Sequence, residues 1–235
     1  MDETYQSSQS VVQTEAGAIS SRERFLVRTY NHLFVAIFAF TLLEIALFKT
    51  GLAAVIASGL LSVNWLFVLG GFAIVGCLAS GVAHSSESRR MQYLALVGYV
   101  VAEAIIFVPL LYIANYAAPG TIQTAATITL IGFAGLTGIA FWTRRDFSFL
   151  GGMIRWAMVL ALVAIAGGAI FGFSLGTWFS VVMVGLSGAA ILYDTSKILH
   201  EFPEDRHVGA ALELFASVAL MFWHMLQLVL SSDED

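Results

Sequence analysis

The chain is short of charge. Only 11% of its 235 residues are Asp, Glu, Lys or Arg, against about 25% in soluble domains. It cannot cover a water-facing surface, so the bilayer is its solvent. One cysteine, Cys77, sits in an apolar run, which excludes disulfides and cysteine-held metal centres. There is no basic face for nucleic acid, no H-x-x-x-H metal spacing and no phosphate loop. The last apolar segment has no lysine to form a retinal Schiff base. No cofactor is expected. Residues 1–21 lack the positive start and apolar core of a signal peptide; rich in Ser, Gln and Thr, they read as a disordered cytoplasmic tail.

What is present is apolar sequence: 59% of residues are hydrophobic and the mean hydropathy is +0.85. Seven runs are long enough to span, at about 25–48, 63–83, 93–114, 121–142, 149–171, 177–198 and 208–230. They are continuous rather than alternating, so helices are expected, not a membrane barrel. The apolar stretch 51–61 is too short to cross alone; it either extends the second span or lies at the interface. With seven spans, ten of the eleven basic residues fall on one side and only Lys49 on the other. By the positive-inside rule the N-terminus is then cytoplasmic and the acidic tail, 231–235, is outside. The expected fold is an all-α, seven-helix membrane bundle over 22–230.

Polar residues inside such spans are costly and mark functional positions. Glu44 is near the outer end of the first span and within reach of the interface. His32 is explained by a hydrogen bond within the bundle. Glu103 lies mid-span in the third. Asp194 closes the apolar run GLSGAAILYD, nine residues before the turn near Pro203, and Glu213 follows ten residues after it. The two are expected at similar depth, where a carboxylate pair holds a proton, closes a path or binds a cation. The alternative has Glu213 at the headgroups and Asp194 merely hydrogen-bonded. On the seventh helix Glu213, Ser217, Leu220 and His224 share one stripe at about 100° per residue. That stripe lines a wet cavity or makes interhelical hydrogen bonds. His84, His200 and His207 fall in cytoplasmic loops. Gly168 and Gly172 have the spacing of close helix packing, within the bundle or at a dimer face. Pro109 is expected to kink the third span. Gly185-Leu-Ser187-Gly188 has the form of a rhomboid-type G-x-S-G, with His224 as base on another helix. Small residues on a packed helix explain it more simply.

Three stretches carry a family resemblance: ERFLVRTYNHLF at 23–34, RRDFSFLGGMI at 144–154, and ILYDTSKILH closing the sixth span. Together they resemble the Bax inhibitor-1 family, in its bacterial YccA-like branch. The resemblance implies six helices around a central seventh, in a bacterial inner membrane. It implies a non-enzymatic, pH-sensitive leak for calcium or protons, with Asp194 at the cytoplasmic-side gate. The alternative it implies is a non-transporting regulator of a membrane-anchored FtsH-type protease. The family's pH sensor is a pair of aspartates on the sixth and seventh helices. Asp194 matches the first and Ser217 stands in the second's place, as in YccA-type members. Leu220 stands where the family tends to have asparagine. The ion-pathway or pH-sensing candidates are thus Asp194, Glu213, Ser217, Glu103 and His224. The distances from Asp194 to Ser217 and Glu213 decide between a rebuilt two-carboxylate switch and regulation.

Overall fold

The computed structural model describes the backbone of residues 2–85, 88–117 and 119–232. Among these residues every regular element is a helix. They run α1 Asp2–Lys49, α2 Leu52–Ser62, α3 Trp65–Ser85, α4 Arg89–Ala117, α5 Thr121–Thr143, α6 Leu150–Phe171, α7 Gly176–His200 and α8 His207–Ser232. In hydrocarbon no water is present to satisfy backbone N–H and C=O groups. Continuous apolar runs therefore close their hydrogen bonds within the segment. Six helices are long and apolar enough to cross a membrane: Ser21–Lys49, α4, α5, α6, α7 and α8. The expected second span, 63–83, is α3, and the apolar stretch before it is a separate helix, α2. α2 and α3 meet at 107° and make a seventh crossing only if the bent pair counts as one. The bend has a local cause. Asn64 Oδ1 accepts the Leu66 N–H at 2.9 Å, an N-cap that starts α3 on a new axis.

The expected tail at 1–21 falls largely on residues whose side chains lie outside the described set; the α1 backbone runs on from Asp2. Residues 233–235 of the acidic tail also lie outside it. Pro109 sits inside α4, which stays helical from Arg89 to Ala117.

α8 is the axis. It packs against α1, α3, α4, α5 and α7, and residues from His207 to Leu226 are buried on most of its circumference. Phe40 and Tyr99 meet Phe215 edge-on, while Phe107 stacks on Phe222 and meets Trp223 edge-on. α6 is the opposite case. Only Gly151 and Ala161 are buried on it, and Trp156, Leu160, Val163 and Phe171 face outward. It packs chiefly on α7.

The Gly168/Gly172 pair has a different use from the expected packing seam. Gly172 takes φ 76° and donates its N–H to the Gly168 carbonyl at 2.8 Å, capping α6. A Cβ on Gly168 would stand 2.9 Å from the Phe173 carbonyl oxygen, so the chain folds back directly over it. The motif stops a helix rather than joining two.

The basic residues converge on one end of the bundle. Arg22 donates to the Leu199 and Phe202 carbonyls at 3.2 and 2.6 Å, tying the start of α1 to the α7–α8 turn. Ser196 on α7 accepts the Phe147 N–H at 2.9 Å and donates to the Arg145 carbonyl at 3.4 Å, fastening the α5–α6 turn beside it. Within that turn Asp146 accepts the Ser148 N–H at 2.8 Å. The Ser148 N–H and hydroxyl hold the Asp146 carboxyl below its ordinary range.

Candidate functional site

The antiparallel α7–α8 pair brings polar side chains together in register. Nearest the turn, Lys197 Nζ lies 3.4 Å from Glu213 Oε2. One turn further in, the Ser217 hydroxyl donates to Asp194 Oδ2 at 2.6 Å. Toward the far end, Ser180 donates to Gln227 Oε1 at 3.1 Å, and His224 Nδ1 shares that oxygen at 3.0 Å. Lys197 lies three residues beyond Asp194 and Glu213 four before Ser217, so each pair sits on the facing side of its helix. Three levels of polar contact thus cross the packed interface between two apolar helices. In hydrocarbon such contacts hold helices together.

The middle level is the candidate site. Asp194 and Ser217 are each 8% exposed. A carboxylate at that depth needs hydrogen-bond donors, and Ser217 supplies one at charge-assisted length. Tyr30 of α1 lies within electrostatic reach of Asp194 and beside Thr137 of α5 and Thr195 of α7. Those three hydroxyls are buried and interact with one another, Tyr30 with both threonines, at geometry too loose for a strong hydrogen bond. Four helices, α1, α5, α7 and α8, thus converge on one carboxylate through a set of hydroxyls. A carboxylate among hydroxyls can hold or pass a proton.

Ser217 therefore contacts Asp194 directly, and Glu213 is ion-paired to Lys197. Glu103 is buried, 4% exposed, and hydrogen-bonded to Tyr99 on its own helix. His224 is buried against Phe179, its ring edge-on at 5.8 Å, with Gln227 as its polar partner. Leu220 of the same stripe packs into the cluster of Ala161, Met183 and Leu186. The stripe on α8 is a line of interhelical contacts. Ser187 donates to the Val184 carbonyl one turn back on its own helix at 2.9 Å. His32 bridges the Arg28 carbonyl at 2.7 Å and the Tyr93 hydroxyl at 2.8 Å, the bundle hydrogen bond expected of it. Its ring also meets His207, which is buried rather than in a solvated loop.

Sequence reasoning passed over Tyr30, Thr137, Thr195 and Gln227. Thr195 adjoins Asp194 and Tyr30 lies inside the ERFLVRTYNHLF stretch, so both had a pointer. Thr137 and Gln227 had none beyond being polar in an apolar run. Lys197 counted in the sequence only as one of the same-side basic residues, although it faces a carboxylate on the next helix.

Glu44 departs most from expectation. It does not reach the interface. It is 7% exposed, and neither carboxylate oxygen has a hydrogen-bond partner. It lines a cleft of about 450 Å³ between α1, α4, α5 and α8.

Comparison with known proteins places these residues in a lineage. Residues 22–234 match the family model described as inhibitor of apoptosis-promoting Bax1. An uncharacterised protein of Neisseria meningitidis serogroup A is 28% identical over 167 residues, 68% of this chain and 73% of the relative. The Golgi anti-apoptotic protein of vaccinia virus strain Lister is 24% identical over 159 residues, 67% of this chain and 65% of that protein. The modulator of FtsH protease YccA of Escherichia coli K12 is 29% identical over 102 residues, 43% of this chain and 46% of that protein.

Proposed function

This chain is a multi-pass membrane protein of the Bax inhibitor-1 family, and on that premise we propose that it is a non-enzymatic regulator of a membrane-anchored, FtsH-type protease in a bacterial inner membrane. The partner and the membrane are suggested by similarity to the Escherichia coli FtsH modulator and its inner-membrane counterpart. In this reading the bent α2–α3 pair is one span, seven helices cross, and six surround α8. The basic end of the bundle is cytoplasmic, the C-terminus is outside, and residues 1–21 form a cytoplasmic tail available to the protease.

The observation that supports regulation over conduction is the pairing on α8. Asp194 is held by a neutral hydroxyl at 2.6 Å, while Glu213 is engaged by Lys197. A switch driven by repulsion between two carboxylates has no second acid at Ser217, so the α7–α8 pair acts as a closed hairpin that presents a fixed cytoplasmic face. The test is co-purification of the full chain with an FtsH-type protease, with and without residues 1–21. Loss of association, or slower turnover of the shortened chain, supports the proposal. Equal association and turnover of both forms overturns it.

A second reading has its own support. Tyr30, with Thr137 and Thr195 grouped on it, sets loosely held buried hydroxyls near Asp194, the kind of lining a calcium or proton path gated by Asp194 would require. Flux of calcium and of protons into vesicles carrying the reconstituted protein, followed against pH, tests it. A flux that persists unchanged in Asp194→Asn removes Asp194 as the gate.

A further inference from the structure

The cleft around Glu44 has features the proposed function does not use. Its walls are Phe40, Phe48, Phe215 and Phe222, with aliphatic side chains between them. Its volume, about 450 Å³, falls in the range of small-molecule sites, roughly 300–1,000 Å³. Two polar atoms sets stand unsatisfied on its lining: both Glu44 carboxylate oxygens and the Thr129 hydroxyl, which is 2% exposed. A buried carboxylate without donors is costly, and each such group in a native fold calls for an explanation.

The lining also narrows what supplies the donor. Thr41 is committed to the Ile37 carbonyl on its own helix, which leaves Thr129 and the exposed Asn115 amide as the other side-chain oxygens of the lining, too few beside Glu44 for a cation shell. A divalent cation needs six or more. Lys49, the last residue of α1, is exposed at the mouth about one and a half turns beyond Glu44. Its ammonium opposes approach of hydrated cations from the water side. On the flank, Ile45 and Leu130 line the cleft and are exposed, so the opening there faces the hydrocarbon.

We propose that this cleft binds an amphiphile with a single protonated amine on an apolar chain, admitted from the bilayer, its N–H groups donating to Glu44 and Thr129 and its chain lying on the phenylalanine wall. The amine supplies several donors and one charge to the group that lacks both. The apolar body fills the open side of a cleft walled by aromatic rings.

The test uses the full-length protein in phosphatidylcholine nanodiscs and reads its thermal midpoint against dodecylamine, dodecanol and ethylamine. Dodecylamine should bind about tenfold more tightly than dodecanol, the value of a charge-assisted hydrogen bond in a dry site. Ethylamine, which stays in water, should not shift the midpoint. Glu44→Gln should erase the preference for amine over alcohol while leaving both able to bind. Ala126→Phe, which fills the cleft without touching Glu44, should abolish both. Equal shifts from amine and alcohol in the parent overturn the proposal, as does a preference that survives Glu44→Gln. A shift by ethylamine alone assigns the site to water-borne amines and overturns admission from the bilayer. If the variants do not fold, a photoreactive alkylamine on the parent decides: labelling of α1 and α5 at the cleft supports it, labelling elsewhere overturns it.

Discussion

Asp194 and Glu44 are both carboxylates with less than a tenth of their surface exposed, near opposite ends of the bundle, and the chain treats them oppositely. Around Asp194 four helices supply hydroxyls, and Ser217 donates at 2.6 Å. Around Glu44 the cleft is mostly phenyl rings and aliphatic groups, and its few polar neighbours, Thr41, Thr129, Asn115 and Lys49, leave both carboxylate oxygens without a hydrogen bond. The first acid is answered from within the chain and helps hold α7 to α8. The second is left for something outside the chain. Depth alone therefore does not distinguish a structural acid from a binding acid; the count of donors in reach does.

Substituting the same residue at both positions gives the strongest test of this contrast. Asp194→Leu should destabilise the protein by about 3 kcal/mol, because it strands the buried Ser217 hydroxyl and removes the acceptor beside Tyr30. Glu44→Leu should do the reverse in detergent free of amine amphiphiles, stabilising by about 2 kcal/mol as an unsatisfied polar group leaves the interior. Thermal unfolding of the two variants side by side reads both signs. If both destabilise, Glu44 has a partner and the contrast fails.

Ser217→Asp sharpens the comparison from the other direction, by giving Asp194 a second acid. Two adjacent carboxylates tolerate one charge between them but not two. The variant should lose about 1–2 kcal/mol between pH 5 and pH 8 relative to the parent. Stability is present where a proton is shared and is lost as pH rises and that proton leaves. A parallel pH profile in parent and variant would show that the side chains separate. The smallest effect belongs to Arg144, the one non-glycine at positive φ among the described residues, at 47°. Arg144→Gly should stabilise by about 0.5 kcal/mol, since glycine meets the left-handed cap without strain but pays more backbone entropy. It sets the scale of a surface change against which the carboxylate variants are read.

Much of this molecule is legible in its sequence, for reasons that also explain what is not. Spans are legible because hydrocarbon admits only continuous apolar runs, so the edges of α5 through α8 fall within about three residues of the hydropathy limits. The α2–α3 break is harder, because 51–61 and the run after it are both apolar. Its marker is Asn64, a helix-capping residue between them. The Asp194 partnership was half legible. Counting residues from the turn sets depth, and both Glu213 and Ser217 satisfy it. Choosing between them needs helical phase, and the phase is fixed where Lys197 takes Glu213. Glu44 was misjudged because a position near a helix end suggests escape to water, whereas α4, α5 and α8 close over it.

The clasp of Arg22 on the Leu199 and Phe202 carbonyls has a mechanical consequence. The first helix is anchored to the turn that carries Asp194 and Lys197 on one side and Glu213 and Ser217 on the other. Traction on the chain ahead of Arg22 is therefore borne first by those two carbonyls, and through them by the hairpin. Tension applied at the outside of the bundle is delivered to its polar centre before any helix has to leave the membrane.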